Sequence, residues 1–462
     1  MISCSDILDE NPKSIATETF YNTPQEVAAA ANAMYAPLKQ NGFINYLMIL
    51  ECCSDYAYGR GSYAFLNDFG GLNPTFIGKI GSLWAPLYLS IRNANLVIKS
   101  TPNGSGTTED EKSQFIAEAK FIRALDYFIL VKSWAGVPIR TEDNMDEIDL
   151  ARSSANDVYK LILDDLSFAE QYLPDEPRLV GSPSKWTAKT VLADVYLNLE
   201  EWGNARDKAQ EVISSGKYAL VEVSEPDNFE KIYGADVITT TEEVFYLKYS
   251  DEEGWYGLNY FHTSSSGYKP YGSNWYAIYS KSDNLFYTSW NDNDLRKQHN
   301  FYSWNIGLGT NTLLFKKYID PTGTTAASND YPLYRYPELL LIYAEAANKA
   351  NGGPTSEALE CVNQIHRRAY GYNPNMSSAV DFKIGDYDEM SFDELVIQEK
   401  GYETLLEGKR WLDLVRTGRA SETIKSVLGI DLNESLYLWP IPEVETNYNK
   451  AIDPVADQNP GY

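Results

Sequence analysis

The sequence predicts a mainly α-helical protein, a tetratricopeptide-like helical-repeat scaffold (an alpha-alpha superhelix) that carries one long, irregular, aromatic-rich insertion of loops and short strands. Three observations predict it. Over residues 187–216, Ala193, Tyr196, Ala205, Ala209 and Val212 fall where two antiparallel helices need small or aromatic side chains to pack closely, with Trp202-Gly203 at the turn. Between residues 217 and 330 that periodicity disappears, and short runs such as EVFYLKY (243–249) alternate with loops dense in Gly, Asn, Ser, Trp and Tyr. No Gly/Ser- or Pro-rich linker divides the 462 residues, so the chain reads as a single domain over 1–462.

The elements follow in order. Met1-Ile2-Ser3-Cys4 has neither a basic nor an apolar stretch, so it is not a whole secretory signal; it looks like the end of one. The N-terminal helical part spans 20–216. Asn22-Thr23-Pro24 opens a helix to about Leu38, with Pro24 tolerated in the first turn. Residues 41–83 then read as a loop region rich in Gly and aromatics. Helices return at 84–100 and 109–134, where Trp84, Tyr88, Ile91 and Asn95 mark a buried stripe, and at 155–173. The pairs 115–134 with 155–173 and 337–350 with 355–369 are degenerate hairpins that can stack on 187–216, the second turning at Gly352-Gly353-Pro354. Residues 217–330 form the insertion, and 331–462 the C-terminal region.

Composition narrows the function. A formal charge of −26 repels phosphate backbones, so nucleic acid is not an expected partner. Three scattered histidines and four cysteines without metal spacing point to no metal, no cofactor and no histidine-dependent catalysis, and no EF-hand-like pattern supports a bound Ca²⁺. No apolar run is long enough to span a bilayer. Tyrosines number 35 against 17 phenylalanines, which suggests aromatic surface with polar handles as well as core.

The stretch 392–419 (FDELVIQEKGYETLLEGKRWLDLVRTGR) reads as one helix, with Ser391 as N-cap, Glu394 completing a capping box, and Gly418 as the C-terminal stop. Leu395, Tyr402, Leu405, Leu406 and Leu412 make its buried stripe. Glu399, Glu403, Glu407, Arg410 and Asp413 make a charged row beside it, expected to be a structural ion-pair row in which Arg410 pairs with Glu407 and Asp413. The wording of this stretch resembles the C-terminal signature of the SusD/RagB family, nutrient-binding lipoproteins of Bacteroidetes outer membranes. YPLYRYPELLLIYAEAA (331–347), EALECVNQIHRRA (357–369), WPIPE (439–443), QNPGY (458–462) and FIRALDYFILVKSWAGVPI (121–139) carry the same resemblance.

That resemblance implies a non-enzymatic, cell-surface protein that binds oligosaccharides or polysaccharides and hands them to a SusC-like TonB-dependent transporter. It also implies lipidation of Cys4 and anchoring on the outward face of the outer membrane. The alternatives are a glycoside hydrolase, for which no distinctive carboxylate pair stands out, and a helical-repeat peptide adaptor, which leaves the aromatic insertion unexplained. An extended neutral glycan is expected to stack on aromatics of the two irregular regions: Tyr58 and Tyr63 in the first, and Trp255, Tyr271, Trp275, Tyr276, Trp290 and Trp304 in the second. Arg60, Asn67, Asn274 and Asp283 are the expected polar partners of its hydroxyls.

Overall fold

The structure, a computed structural model, describes residues 20–67, 69, 74–254, 261–262, 268, 276–323 and 326–462. Its body is a layer of helices that pack one on the next in chain order. Helix α1 (Pro24–Asn32) starts at Thr23, whose hydroxyl and the Glu26 carboxylate exchange hydrogen bonds with each other's backbone N–H groups. Helices α3 (Pro74–Gly81), α4 (Trp84–Ser100), α5 (Glu109–Trp134), α6 (Ala155–Tyr172), α7 (Lys185–Asn198) and α8 (Trp202–Ser214) follow, each from α4 onward packed against its predecessor. After the short helices α9 (Glu230–Tyr233), α10 (Leu285–Ser289) and α11 (Leu295–Asn300), helix α12 (Tyr336–Asn351) lies on α8 and receives α13 (Ser356–Ala369) and α14 (Glu389–Glu403), so two helices far apart in sequence are neighbours in the stack. The small residues predicted to seat the α7–α8 hairpin, Ala193, Ala205, Ala209 and Val212, are fully buried against Leu339, Ala346 and Val362. Gly352, at φ +68°, turns the chain between α12 and α13 in the left-handed conformation that glycine adopts without a Cβ penalty.

Two expectations are corrected, the loop over 41–52 and the single helix over 392–419. Residues 41–52 are not loop but a helix, α2 (Asn41–Cys52), whose apolar residues are buried nearly all round and therefore show no amphipathic period. Tyr331–Arg335, at the start of the 331–347 motif, is a strand, paired antiparallel with Glu243–Leu247. The stretch 392–419 is not one helix. Asp388, not Ser391, caps α14, with Ser391 as its reciprocal partner, and the helix stops at Glu403. The chain turns through Leu406 (φ +62°) and Gly408 (φ +69°) before α15 (Arg410–Arg416) begins, and Gly418 (φ +69°) ends that helix.

Side chains from elsewhere hold this turn: Tyr56 Oη accepts from the Leu406 N–H, Glu51 Oε1 from the Gly408 N–H, and Lys317 Nζ donates to the Leu405 carbonyl. The bend re-aims the charged row. Arg410 pairs with Asp55 rather than Glu407 or Asp413; Glu403 and Glu407 instead converge on the fully buried Arg335, at 2.9 and 2.7 Å. Arg368, Arg296, Glu242 and Lys317 complete the cluster. Burial alone would raise the Glu403 carboxyl, but Arg368, Arg335 and Arg296 together hold it well below the carboxylate range. Because Arg296 and Lys317 lie in the chain between α8 and α12, and Glu403 and Glu407 at the end of α14 and just after it, these ion pairs tie the two segments together.

Candidate functional site

The two irregular regions meet in a four-stranded antiparallel sheet of order β1-β3-β5-β4, made by β1 (Tyr58–Gly59), β3 (Ile278–Lys281), β4 (Phe301–Ser303) and β5 (Thr312–Phe315). Tyr58 faces Tyr279 across the β1–β3 ladder, and Arg60 N–H extends it by donating to the Ala277 carbonyl at 2.6 Å. Ser280 Oγ donates to the Tyr56 carbonyl, and Asn284, the N-cap of the next short helix, donates to the Asp55 carbonyl. Since side chains alternate between faces, the register sorts the sheet into two surfaces. Ile278, Leu313, Phe315 and Phe301 point into the main core. The opposite face carries Tyr58, Tyr279, Leu314 and Tyr302, which join Tyr276, Trp304 and Ile306 in a separate aromatic cluster.

That outer face has the geometry of a platform. Tyr58 and Tyr279 stack at 5.5 Å with 29° between their planes. Tyr279 is buried behind; Tyr58, Tyr276, Tyr302 and Trp304 are only half-buried. The Arg60 guanidinium lies 4.4 Å from the centre of the Tyr276 ring, and the Lys281 ammonium 4.6 Å from that of Tyr58. Asn284 Nδ2 donates to Tyr58 Oη at 2.9 Å, which leaves the phenol its own O–H donor. Burial pushes the Tyr58 phenol up, with the Asn284 hydrogen bond opposing, so it is neutral at ordinary pH. Flat ring faces beside hydrogen-bonding groups suit a ring that has an apolar C–H face and a polar rim.

The predicted residues divide. Tyr58, Arg60, Tyr276 and Trp304 come together on this face, and Asp283 stands exposed at the end of β3, accepting from Asn311 Nδ2 at 2.9 Å. Trp290 is only 2% exposed and stacks flat on Tyr402 at 4.2 Å, so it is a core residue with no face to offer a ligand. Tyr63 is likewise buried, donating to Asn45 Oδ1 at 2.7 Å. Asn67 donates to the Cys52 and Ala57 carbonyls and accepts from the Gly59 N–H, so its amide shapes β1 instead of meeting a ligand. Trp255, Tyr271, Asn274, Trp275 and Cys4 lie outside the described residues. Lys281 and Asn284 were missed. The alternation Ile278-Tyr279-Ser280-Lys281, read as a half-buried strand, would have put Tyr279 and Lys281 on one face.

A family model described as "Starch-binding associating with outer membrane" matches residues 6–197, and one described as "SusD family" matches residues 234–462. A SusD-like protein, P2, from Formosa agariphila is 28% identical and aligns with 100% of this chain and 97% of its own length. A crystal structure of a SusD homologue from Bacteroides thetaiotaomicron superposes with a TM-score of 0.82 at 22% identity, covering 96% of this chain and 98% of its own. A structure described as a laminarin-binding SusD-like protein superposes with a TM-score of 0.77 at 24% identity, covering 96% and 100%.

Proposed function

The chain belongs to the SusD/RagB family, and from that premise we propose that it binds oligosaccharides or polysaccharides at the cell surface and delivers them, uncleaved, to a SusC-like TonB-dependent transporter. The observation that carries the reading is the outer face of the four-stranded sheet. Half-exposed Tyr58, Tyr276, Tyr302 and Trp304 are brought there from two parts of the chain more than 200 residues apart, while the other face of the same sheet is anchored in the core. The laminarin-binding relative, similar over nearly its whole length, supports a glycan as the ligand class. The two described regions 20–216 and 331–462 act as the body and 217–330 as the ligand-bearing insertion of one domain.

Affinity electrophoresis on a polysaccharide panel, run beside a reducing-sugar assay, tests this: retardation without sugar release is expected, and turnover would favour the glycoside hydrolase. The body's broad helical face serves as the transporter dock. A pull-down from native membranes is expected to recover a large β-barrel protein, and recovery of soluble partners alone would contradict it. Cys4 carries the lipid anchor, several acyl chains at about 0.8 kcal/mol per buried methylene making attachment effectively permanent. Cys4→Ala in the precursor is expected to release the protein from the membrane fraction.

A further inference from the structure

We infer that the platform is built for an acidic glycan, one carrying carboxylate or sulfate groups on more than one of its residues; the inference rests on the carbohydrate reading above and narrows it. The sign of the local charge is the starting point. In a chain with 65 acidic against 39 basic residues, most structured cations are expected to be consumed by carboxylates. The cations of the buried cluster, Arg296, Arg335, Arg368 and Lys317, all are. The two on the platform are not. Among the described residues neither the Arg60 guanidinium nor the Lys281 ammonium has an ion-pair partner or a protein hydrogen-bond acceptor; each rests on a tyrosine face, Tyr276 at 4.4 Å and Tyr58 at 4.6 Å.

Stacking on a ring orders the apolar stem of such a side chain while leaving its N–H donors unsatisfied by protein. Neither nearby carboxylate forms an ion pair with them. Asp55 is held by Arg410 through two hydrogen bonds, and Asp283 is held by the Asn311 amide. Arg60 sits opposite Ala277 and Lys281 is four residues further along β3, so the two positions are separated by about 13 Å at roughly 3.3 Å per strand residue. The stacked Tyr58–Tyr279 pair lies between them. The two cations rest on different tyrosines, Tyr276 and Tyr58, so a ligand that uses both meets them at two separate points and carries its acid groups on more than one residue. The net charge of −26 acts at long range, whereas within a Debye length of about 8–10 Å the ligand meets the platform's own charges, Arg60 and Lys281 against Asp283.

The test is calorimetric titration of the whole chain with two oligosaccharide series, oligouronides and sulfated oligosaccharides, each beside its own carboxyl-reduced or desulfated counterpart. The acidic form of at least one series is expected to bind about tenfold more tightly than its neutral counterpart, the factor one charge-assisted hydrogen bond supplies. Which series shows the difference identifies carboxylate or sulfate as the recognised group. The Arg60→Gln/Lys281→Gln double variant, confirmed folded by its melting curve, is expected to bring the ratio to about one, while Lys281→Arg keeps it. Should the double variant fail to fold, raising NaCl from about 0.05 to about 0.5 M on the wild type replaces it, with only the acidic ligand expected to weaken. Neutral counterparts bound as tightly as acidic ones would overturn the acid preference and leave the carbohydrate reading standing. Binding of no glycan of either kind would remove both.

Discussion

Arg335 has no solvent exposure, and its guanidinium is surrounded by Glu242, Glu403 and Glu407 at 2.7 to 3.0 Å. Removing one partner from such a cluster leaves uncompensated buried charge, so Arg335→Met is expected to lower stability by about 3–5 kcal/mol, read as a shift in urea midpoint. A near-neutral result would show that the three glutamates can reorganise without it. Glu51 beside this cluster behaves differently. Burial drives its carboxyl up to about 8, against the opposing Gly408 N–H bond, while 4.5 is its ordinary value. Between those two values the folded protein keeps a proton that the unfolded chain has lost, so this group makes stability fall as pH rises through the window. Glu51→Gln retains an acceptor for the Gly408 N–H and is expected to raise the melting temperature at about pH 8 with little change at about pH 5. An equal gain at both values would mean the carboxyl is ionised in the fold.

The break between α14 and α15 makes a prediction at the scale of the element. Gly408 and Gly418 share the same left-handed φ of +69°, yet a Cβ on Gly408 would sit 3.0 Å from a Leu47 methyl, whereas nothing lies within 4 Å of one on Gly418. Gly418→Ala is therefore expected to cost about 1 kcal/mol of backbone strain, and Gly408→Ala clearly more because overpacking adds to it. Matched denaturation curves for the two variants read the difference; equal losses would show that Leu47 yields freely. This break was illegible because 392–419 satisfies a helical pattern locally, and only the long-range demand of Arg335 for both Glu403 and Glu407 bends it. Helices α4 and α5, by contrast, were legible to their ends. Thr108 and Glu111 form a complete capping box at the start of α5, a signal that lies within four residues of sequence. The site was legible only in outline. Aromatic loops could be recognised in two separate parts of the chain, but whether Trp290 packs on Tyr402 or Trp304 joins the platform depends on a sheet whose β1 and β3 strands are about 220 residues apart in sequence.

At the scale of the whole molecule, the C-terminal tail closes the body. Trp439 meets Trp134 edge to face at 5.4 Å, Trp134 Nε1 donates to the Pro440 carbonyl, and Asn459 donates to the carbonyls of Trp134 and Trp439 while accepting from Arg152. Asn459→Ala strands the Trp439 carbonyl, while the Trp134 carbonyl keeps Arg152 Nη2, with an expected loss of about 1–3 kcal/mol and a lower melting temperature. An unchanged melting temperature would mean the tail is decoration on a body that is already closed. The tail, the helical layers and the ion-pair cluster together hold one thing in place, the sheet whose outer face carries the aromatic platform. The most direct test of its role is calorimetric titration of the Tyr276→Ala/Trp304→Ala variant with whichever glycan retards the wild type. Wild-type affinity is expected between millimolar and micromolar, about 4–8 kcal/mol, since preformed stacking surfaces gain little beyond desolvation and a few hydrogen bonds. The account predicts that the variant keeps its melting temperature and loses at least tenfold in affinity, about 1.4 kcal/mol; a stable variant with full affinity would contradict it.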